Sequence, residues 1–201
     1  KKISVLNPLL VSIIFVIAVI KIFHIDYETY NSGAKYISYL LTPATVCLAI
    51  PLYRQISVLK EHAKEVFIGI LAGVLASMGS ILLMSYLFGL THEQYVTLLP
   101  KSITTAIGMG VSEELGGIQT ITVAVIIITG VLGNIIAEAV LKIFRIKEPV
   151  AKGLAIGTAS HAIGTTKALE IGEIEGAMSS LSVAVAGLMT VISASIFANM
   201  M

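Results

Sequence analysis

Two stretches of the sequence combine residue types that membrane-type apolar helices ordinarily exclude. Pro-Lys-Ser-Ile-Thr-Thr, from Pro100 to Thr105, joins a helix breaker, a cation and three hydroxyls. A helix that begins after Pro100 presents unpaired amides and the positive end of its dipole, which suits an anion such as a carboxylate. Lys101 adds a full charge, and Ser102, Thr104 and Thr105 add donors. The plainer reading is that Pro100 only kinks a helix and Lys101 reaches for the interface. Convergence of so many polar groups favours a substrate-binding strip.

The second stretch, GTASHAIGTTK from Gly157 to Lys167, supplies Ser160, His161, Thr165 and Thr166 as an opposing wall. Gly157 and Gly164 allow backbone to approach a ligand closely. An imidazole titrates near pH ~6.5, so His161 would exchange a proton near neutrality and couple solute movement to a proton gradient. The alternative for His161 is a neutral ring that fixes two helices by a hydrogen bond. A third strip, Thr42, Pro43 and Thr45, interrupts another apolar run and completes the expected site. Glu113, Glu170, Glu173 and Glu175 lie beside these segments, either as an external vestibule or as solvated loop residues. Asn134 and Glu138, spaced i, i+4, suit hydrogen bonding between helices.

Other chemistry is excluded. There is no Ser/His/Asp arrangement with supporting context, no H-E-x-x-H and no P-loop, so no enzyme is expected. His24, His62 and His92 are scattered over loops and Cys47 is the single cysteine, so neither a metal nor a cofactor is expected. The formal charge is +1, and no Lys/Arg cluster is dense enough to track nucleic-acid phosphates.

The elements that must hold these residues are membrane helices. Of 201 residues, 56% are hydrophobic and 12% charged, so polar groups cannot cover a soluble surface and lipid must be the solvent. At roughly 20 residues per span, the expected fold is a single all-α polytopic transmembrane domain over 1–201, with about seven membrane segments in the cell membrane. Two or three of these are broken or re-entrant. Apolar runs extend from Pro8 to Phe23, Tyr36 to Tyr53, Val66 to Leu90, Ile118 to Phe144 and Ala177 to Met201, with a polar stretch from His24 to Lys35. The chain begins at Lys1 without a cleavable signal, so a preceding helix is expected.

Basic residues gather at Lys1 and Lys2, at Arg54, Lys60 and Lys64, and at Lys142, Arg145, Lys147 and Lys152. The positive-inside rule places all three groups in the cytoplasm. That topology makes the Pro100 segment a re-entrant pair of half-helices from the outer side. It makes Gly153 to Lys167 a broken crossing, with the acidic turn GEIEG outside. The triplet of the first helix, the Pro43 segment and the Val66 helix then opposes the triplet of the Ile118 helix, the Gly153 segment and the Ala177 helix. Such an inverted repeat is common in secondary transporters, with substrate where the broken helices meet.

At these motifs the chain resembles the LrgB/CidB-type antiholin-like membrane proteins, relatives of plastidal glycolate/glycerate translocators. The resemblance rests on NPLL at Asn7 to Leu10, LLTPATVCLAIPLY at Leu40 to Tyr53, PKSITTAI at Pro100 to Ile107 and SEELGG at Ser112 to Gly117. The long block GLAIGTASHAIGTTKALEIGEIEGAMSSL at Gly153 to Leu181 is the most specific. It implies a further membrane segment before NPLL, and two functions. One is transport of a small carboxylate anion: pyruvate in bacteria, glycolate and glycerate in the plastid envelope. The other is control of murein hydrolases and lysis with a smaller LrgA/CidA-type partner. Transport agrees better with the polar residues, since a holin needs only apolar helices that oligomerise. The expected partners are the anion, that membrane protein, lipid and further copies of the chain.

Overall fold

The computed structural model describes residues 8–40, 43, 46, 47 and 49–201, and all regular structure among them is helical. The chain divides into two compact units, residues 1–50 and 51–201, each taken by itself below.

The first unit holds α1 (Pro8–Ile22) and α2 (Tyr27–Ser38). Helix α1 is apolar on every side, and Ile14, Phe15 and Ile17 are exposed, as in a helix that meets lipid. The polar stretch from His24 to Lys35 is largely α2. Its sequence carries the signals: Asp26 is the N-cap and accepts from the Thr29 amide at 2.9 Å, Glu28 sits in the first turn and Lys35 in the last. The Thr29 hydroxyl also donates to Asp26, and this bond leads in holding that carboxyl below its usual range.

Helix α3 (Ala49–Arg54) passes into the second unit, followed by α4 (Ile56–Glu61) and α5 (Ala63–Phe88). Then come α6 (His92–Leu98), α7 (Thr105–Glu114), α8 (Gln119–Ile143), α9 (Pro149–Ile171) and α10 (Glu173–Ala198). Three of these, α5, α8 and α10, are long and apolar enough to cross a membrane, in agreement with the runs beginning at Val66, Ile118 and Ala177. Helix α10 starts four residues before the apolar run because Glu173 and Glu175 favour the positive end of a helix.

Between these spans lie two reversals. Helices α6 and α7, of seven and ten residues, reach only about 10 and 15 Å at about 1.5 Å per residue, too short to cross. The chain turns between them at Pro100 to Thr104 and returns to its starting side, where the Ile118 amide donates to Thr97 Oγ1 at 2.8 Å. This is the expected re-entrant pair.

The second reversal corrects an expectation. Helix α9 is two arms joined at His161, whose φ of 43° and ψ of −145° are not helical. A β-carbon on Gly164 would lie 3.3 Å from the carbonyl of Ile156, eight residues earlier, which a continuous helix would hold about 12 Å away. The second arm therefore folds back on the first. Near its start, Lys152 Nζ meets Glu175 Oε1 at 3.5 Å, beyond the far end of α9. The segment is not a broken crossing, and the acidic turn lies at the same end as the basic loop, held there by ion pairing. Helix α10 consequently leaves from that end and finishes beside α5 and α6, where the Tyr95 hydroxyl donates to the Phe197 carbonyl at 2.8 Å.

In a Cys47→Ser background, cysteines at Lys147 and Glu173 are expected to react with an impermeant maleimide from one side of sealed vesicles. Reaction from opposite sides would restore the broken crossing.

Candidate functional site

Each hairpin tip is built by local rules. At the first, buried Pro100 ends the α6 arm, and Thr104 begins α7 from an extended backbone conformation without a side-chain cap. Gly108 lets this arm close: a β-carbon there would meet Ile126 Cδ1 at 2.4 Å and the Pro100 carbonyl at 3.4 Å. Thr97, Ser112 and Thr122 tie the base to α8, with the Thr122 hydroxyl 2.9 Å from the Thr97 carbonyl and 2.7 Å from Ser112 Oγ.

At the second tip, His161 adopts a positive φ that costs a non-glycine residue roughly 1–3 kcal/mol. Its buried ring explains how it persists. Nε2 lies 3.0 Å from the Ile126 carbonyl, and because a carbonyl only accepts, Nε2 carries the proton. The ring packs over Gly130, and Ser160 packs on Gly133. The first arm lies against α10 through Gly153 and Gly157, whose β-carbons would fall 2.4 Å from the Glu175 and Ser179 carbonyls.

The two tips come together beside α5. A cavity of about 800 Å³ runs between α5 and the first arm of α9, with His62, Glu65 and Glu148 at the basic end and Lys101 and Ser102 on its wall. Ser102 Oγ accepts from Lys101 Nζ at 3.0 Å and lies 3.0 Å from Ser77 Oγ. Lys101 has no carboxylate within ion-pair distance among the described residues. Thr158, opposite, is buried with its hydroxyl unpartnered. Most of the remaining lining is apolar or small, including Gly69, Gly73, Ala76, Leu154 and Ala155. This arrangement offers the Lys101 cation and several hydroxyls in a largely apolar cavity, with Glu65 and Glu148 toward one end.

The expected residues divide accordingly. Lys101 and Ser102 line the cavity, and Thr104 and Thr105 follow on the same tip, half-buried. Ser160, His161 and Thr165 turn toward α8 and α10: Thr165 Oγ1 donates to the His161 carbonyl at 3.0 Å and lies 2.8 Å from Ser179 Oγ. Thr166 is exposed and accepts from Asn134 at 2.8 Å. Pro43 is exposed, and Thr42 and Thr45 lie outside the described residues. Ser77 and Thr158 were not anticipated. Thr158 belongs to the glycine-rich motif and lines the cavity from the first arm, ahead of the kink at His161; Ser77 is one serine in a plain apolar run. Asn134 and Glu138 bond between helices as their spacing suggests, Asn134 to the Ile163 carbonyl at 3.0 Å and Glu138 to Lys167 at 2.6 Å.

The family model described as the LrgB-like family matches residues 1–200. Antiholin-like protein LrgB of Bacillus mycoides (strain KBAB4) is 39% identical over 186 residues, covering 92% of this chain and 81% of the relative. Antiholin-like protein LrgB of Bacillus cereus (strain B4264) and of Bacillus anthracis (strain CDC 684 / NRRL 3495) match to the same extent. No solved structure matches.

Proposed function

The chain belongs to the LrgB-like family, and from that premise we propose that it carries a small monocarboxylate such as pyruvate or glycolate across the cell membrane, its antiholin-like character following from that movement. The observation that carries the proposal is the Lys101 ammonium, on the wall of the cavity between α5 and the first arm of α9, with no carboxylate within ion-pair distance among the described residues. An unpaired cation removed from water costs several kcal/mol, and a bound carboxylate supplies the missing charge. Ser77 and Ser102 add donors for its oxygens, and the apolar wall accepts a short carbon tail. The acidic mouth, Glu65 and Glu148, favours a singly charged solute over a multiply charged one.

An internal correspondence supports the same reading. Ser-Ile-Thr-Thr-Ala-Ile-Gly at Ser102 to Gly108 parallels Thr-Ala-Ser-His-Ala-Ile-Gly at Thr158 to Gly164, a step of 56 residues (164 minus 108). That step also carries α5 onto α8, and the left-handed Gly89 after α5 onto the left-handed Arg145 after α8. The paired units run in opposite directions, as in carriers with inverted repeats and a midplane site. They join each long helix to the hairpin that follows it, not the outer triplets that apolar run lengths suggest.

The finer proposal is proton coupling at His161. With Nε2 committed to Ile126, Nδ1 is the atom that would gain the proton.

The proposal is tested with Ser77→Cys, on the half-buried α5 wall of the cavity, in the Cys47→Ser background. Its alkylation is expected to slow severalfold in millimolar pyruvate or glycolate and not in the corresponding neutral amides. Equal rates with acid and amide would count against a carboxylate site. The name of the relatives supports a second reading, an antiholin-like regulator acting by assembly with an LrgA/CidA-type partner, in which the polar residues mainly pack helices. Under it, protection appears only with that partner present and does not depend on the carboxylate.

A further inference from the structure

A second cavity, of about 560 Å³, lies at the basic end, remote in sequence from Lys101, between the end of α8, the loop to α9 and the end of α9. Four cations line it, Lys142, Arg145, Lys147 and Lys152, against two carboxylates, Glu138 and Glu170. Both carboxylates are already engaged. Glu138 meets Lys167 at 2.6 Å and Lys142 at 3.9 Å, and Glu170 meets Lys167 at 3.2 Å. Lys152 is taken by Glu175 at 3.5 Å. Among the described residues, Arg145 and Lys147 have no carboxylate within ion-pair distance.

Backbone conformation marks Arg145 independently. It follows α8 at φ 54°, in a cap where the Ile146 amide donates to the Leu141 carbonyl at 2.9 Å. Helix α5 ends in the same cap, with Leu90 donating to Ser85 at 3.0 Å, and uses Gly89 at the left-handed position. Glycine is the unstrained choice there, so α8 holds an arginine where the backbone favours none. Beside it Ile143 and Phe144 are each 73% exposed, apolar surface next to a cationic pocket floored by Leu141, Ile146 and Ile171.

We propose that this pocket binds a phosphate anion through Arg145 and Lys147, its source being the headgroup of an anionic phospholipid whose acyl chains cover Ile143 and Phe144. A basic pocket at the cytoplasmic ends of membrane helices is where such headgroups reside. The site is independent of whatever occupies the cavity at Lys101.

The test measures thermal unfolding and lipid affinity of the purified full chain in detergent with phosphatidylglycerol, with phosphatidylcholine of the same acyl chains, and with inorganic phosphate. Phosphatidylglycerol is expected to raise the melting temperature by several degrees and phosphatidylcholine not to. Stabilisation by inorganic phosphate alone would keep the phosphate site and make its source soluble. Arg145→Gly retains the cap and is expected to melt no lower than wild type without lipid, while binding phosphatidylglycerol about fivefold more weakly. Adding Lys147→Ala weakens it by about fivefold again. Equal stabilisation by the two lipids, or unchanged phosphatidylglycerol binding by the double variant, would overturn the proposal.

Discussion

Replacing Lys101 by methionine is expected to abolish measurable carboxylate binding while leaving the protein as stable as before, or more so. A hydrogen bond to a charged group contributes about 2 kcal/mol, so removing the ammonium lowers affinity by about 30-fold. The stability prediction has the opposite sign because Lys101 lacks a counter-ion among the described residues, and methionine keeps the stem without a buried charge. Lys101→Arg restores charge without the same geometry and recovers part of the binding. Scintillation proximity binding of labelled pyruvate and glycolate, beside thermal unfolding in detergent, checks both halves. A variant that unfolds early yet binds normally would make Lys101 a packing residue.

The second large effect concerns how closely the His161 hairpin is clamped. Gly133→Ala would put a β-carbon 1.8 Å from Ser160 Oγ and 2.5 Å from its Cβ, but 3.7 Å from its Cα. The obstacle is therefore a side chain. Gly133→Ala alone is expected to destabilise by about 3 kcal/mol, and Gly133→Ala with Ser160→Gly to recover most of that loss. Gly157→Ala meets the Ser179 carbonyl at 2.4 Å and its Cα at 2.8 Å, so no side-chain deletion at Ser179 relieves it. Expression and melting temperature of the four variants, Gly157→Ala with Ser179→Gly included, separate the cases. Rescue of Gly157→Ala by Ser179→Gly would contradict the tight packing of the first arm on α10.

How much of this was legible follows from the physics of each signal. Spans α5, α8 and α10 were, because a long apolar run admits few structures other than a membrane helix. The Pro100 reversal was legible too: a proline, a lysine and hydroxyls together have no place in a lipid-facing helix. The His161 reversal was not, since its arms are apolar enough to read as one crossing and its turn residue is not glycine. Loop charge misled there as well. The acidic turn looks external until Lys152 is seen paired with Glu175, and no sequence spacing announces a contact across a hairpin. The same reversal decides the site. It commits His161 to Ile126, so the conspicuous imidazole anchors the tip while Thr158, on the arm before it, lines the cavity with Lys101.

The two hairpins together explain why such polar residues persist in so apolar a chain. Each hairpin is tied to α8, the first through Thr97, Ser112 and Thr122 and the second through His161 and Asn134, as a non-helical segment at membrane depth requires protein partners. Among the described residues, Lys101 lacks a counter-ion at the cavity, and the buried side-chain hydroxyls without a partner are those of Thr158, beside it, and of Ser85, outside its lining.

The most direct measurement is uptake of radiolabelled pyruvate and glycolate into liposomes containing the purified full chain alone, under an imposed pH gradient, with Lys101→Met as the control. The account predicts saturable uptake that unlabelled acid competes and the corresponding amide does not, lost in the control. If His161 couples protons, His161→Asn leaves uptake indifferent to the gradient. No uptake above empty liposomes by folded wild-type protein, or equal uptake by Lys101→Met, would contradict it and favour the regulatory reading.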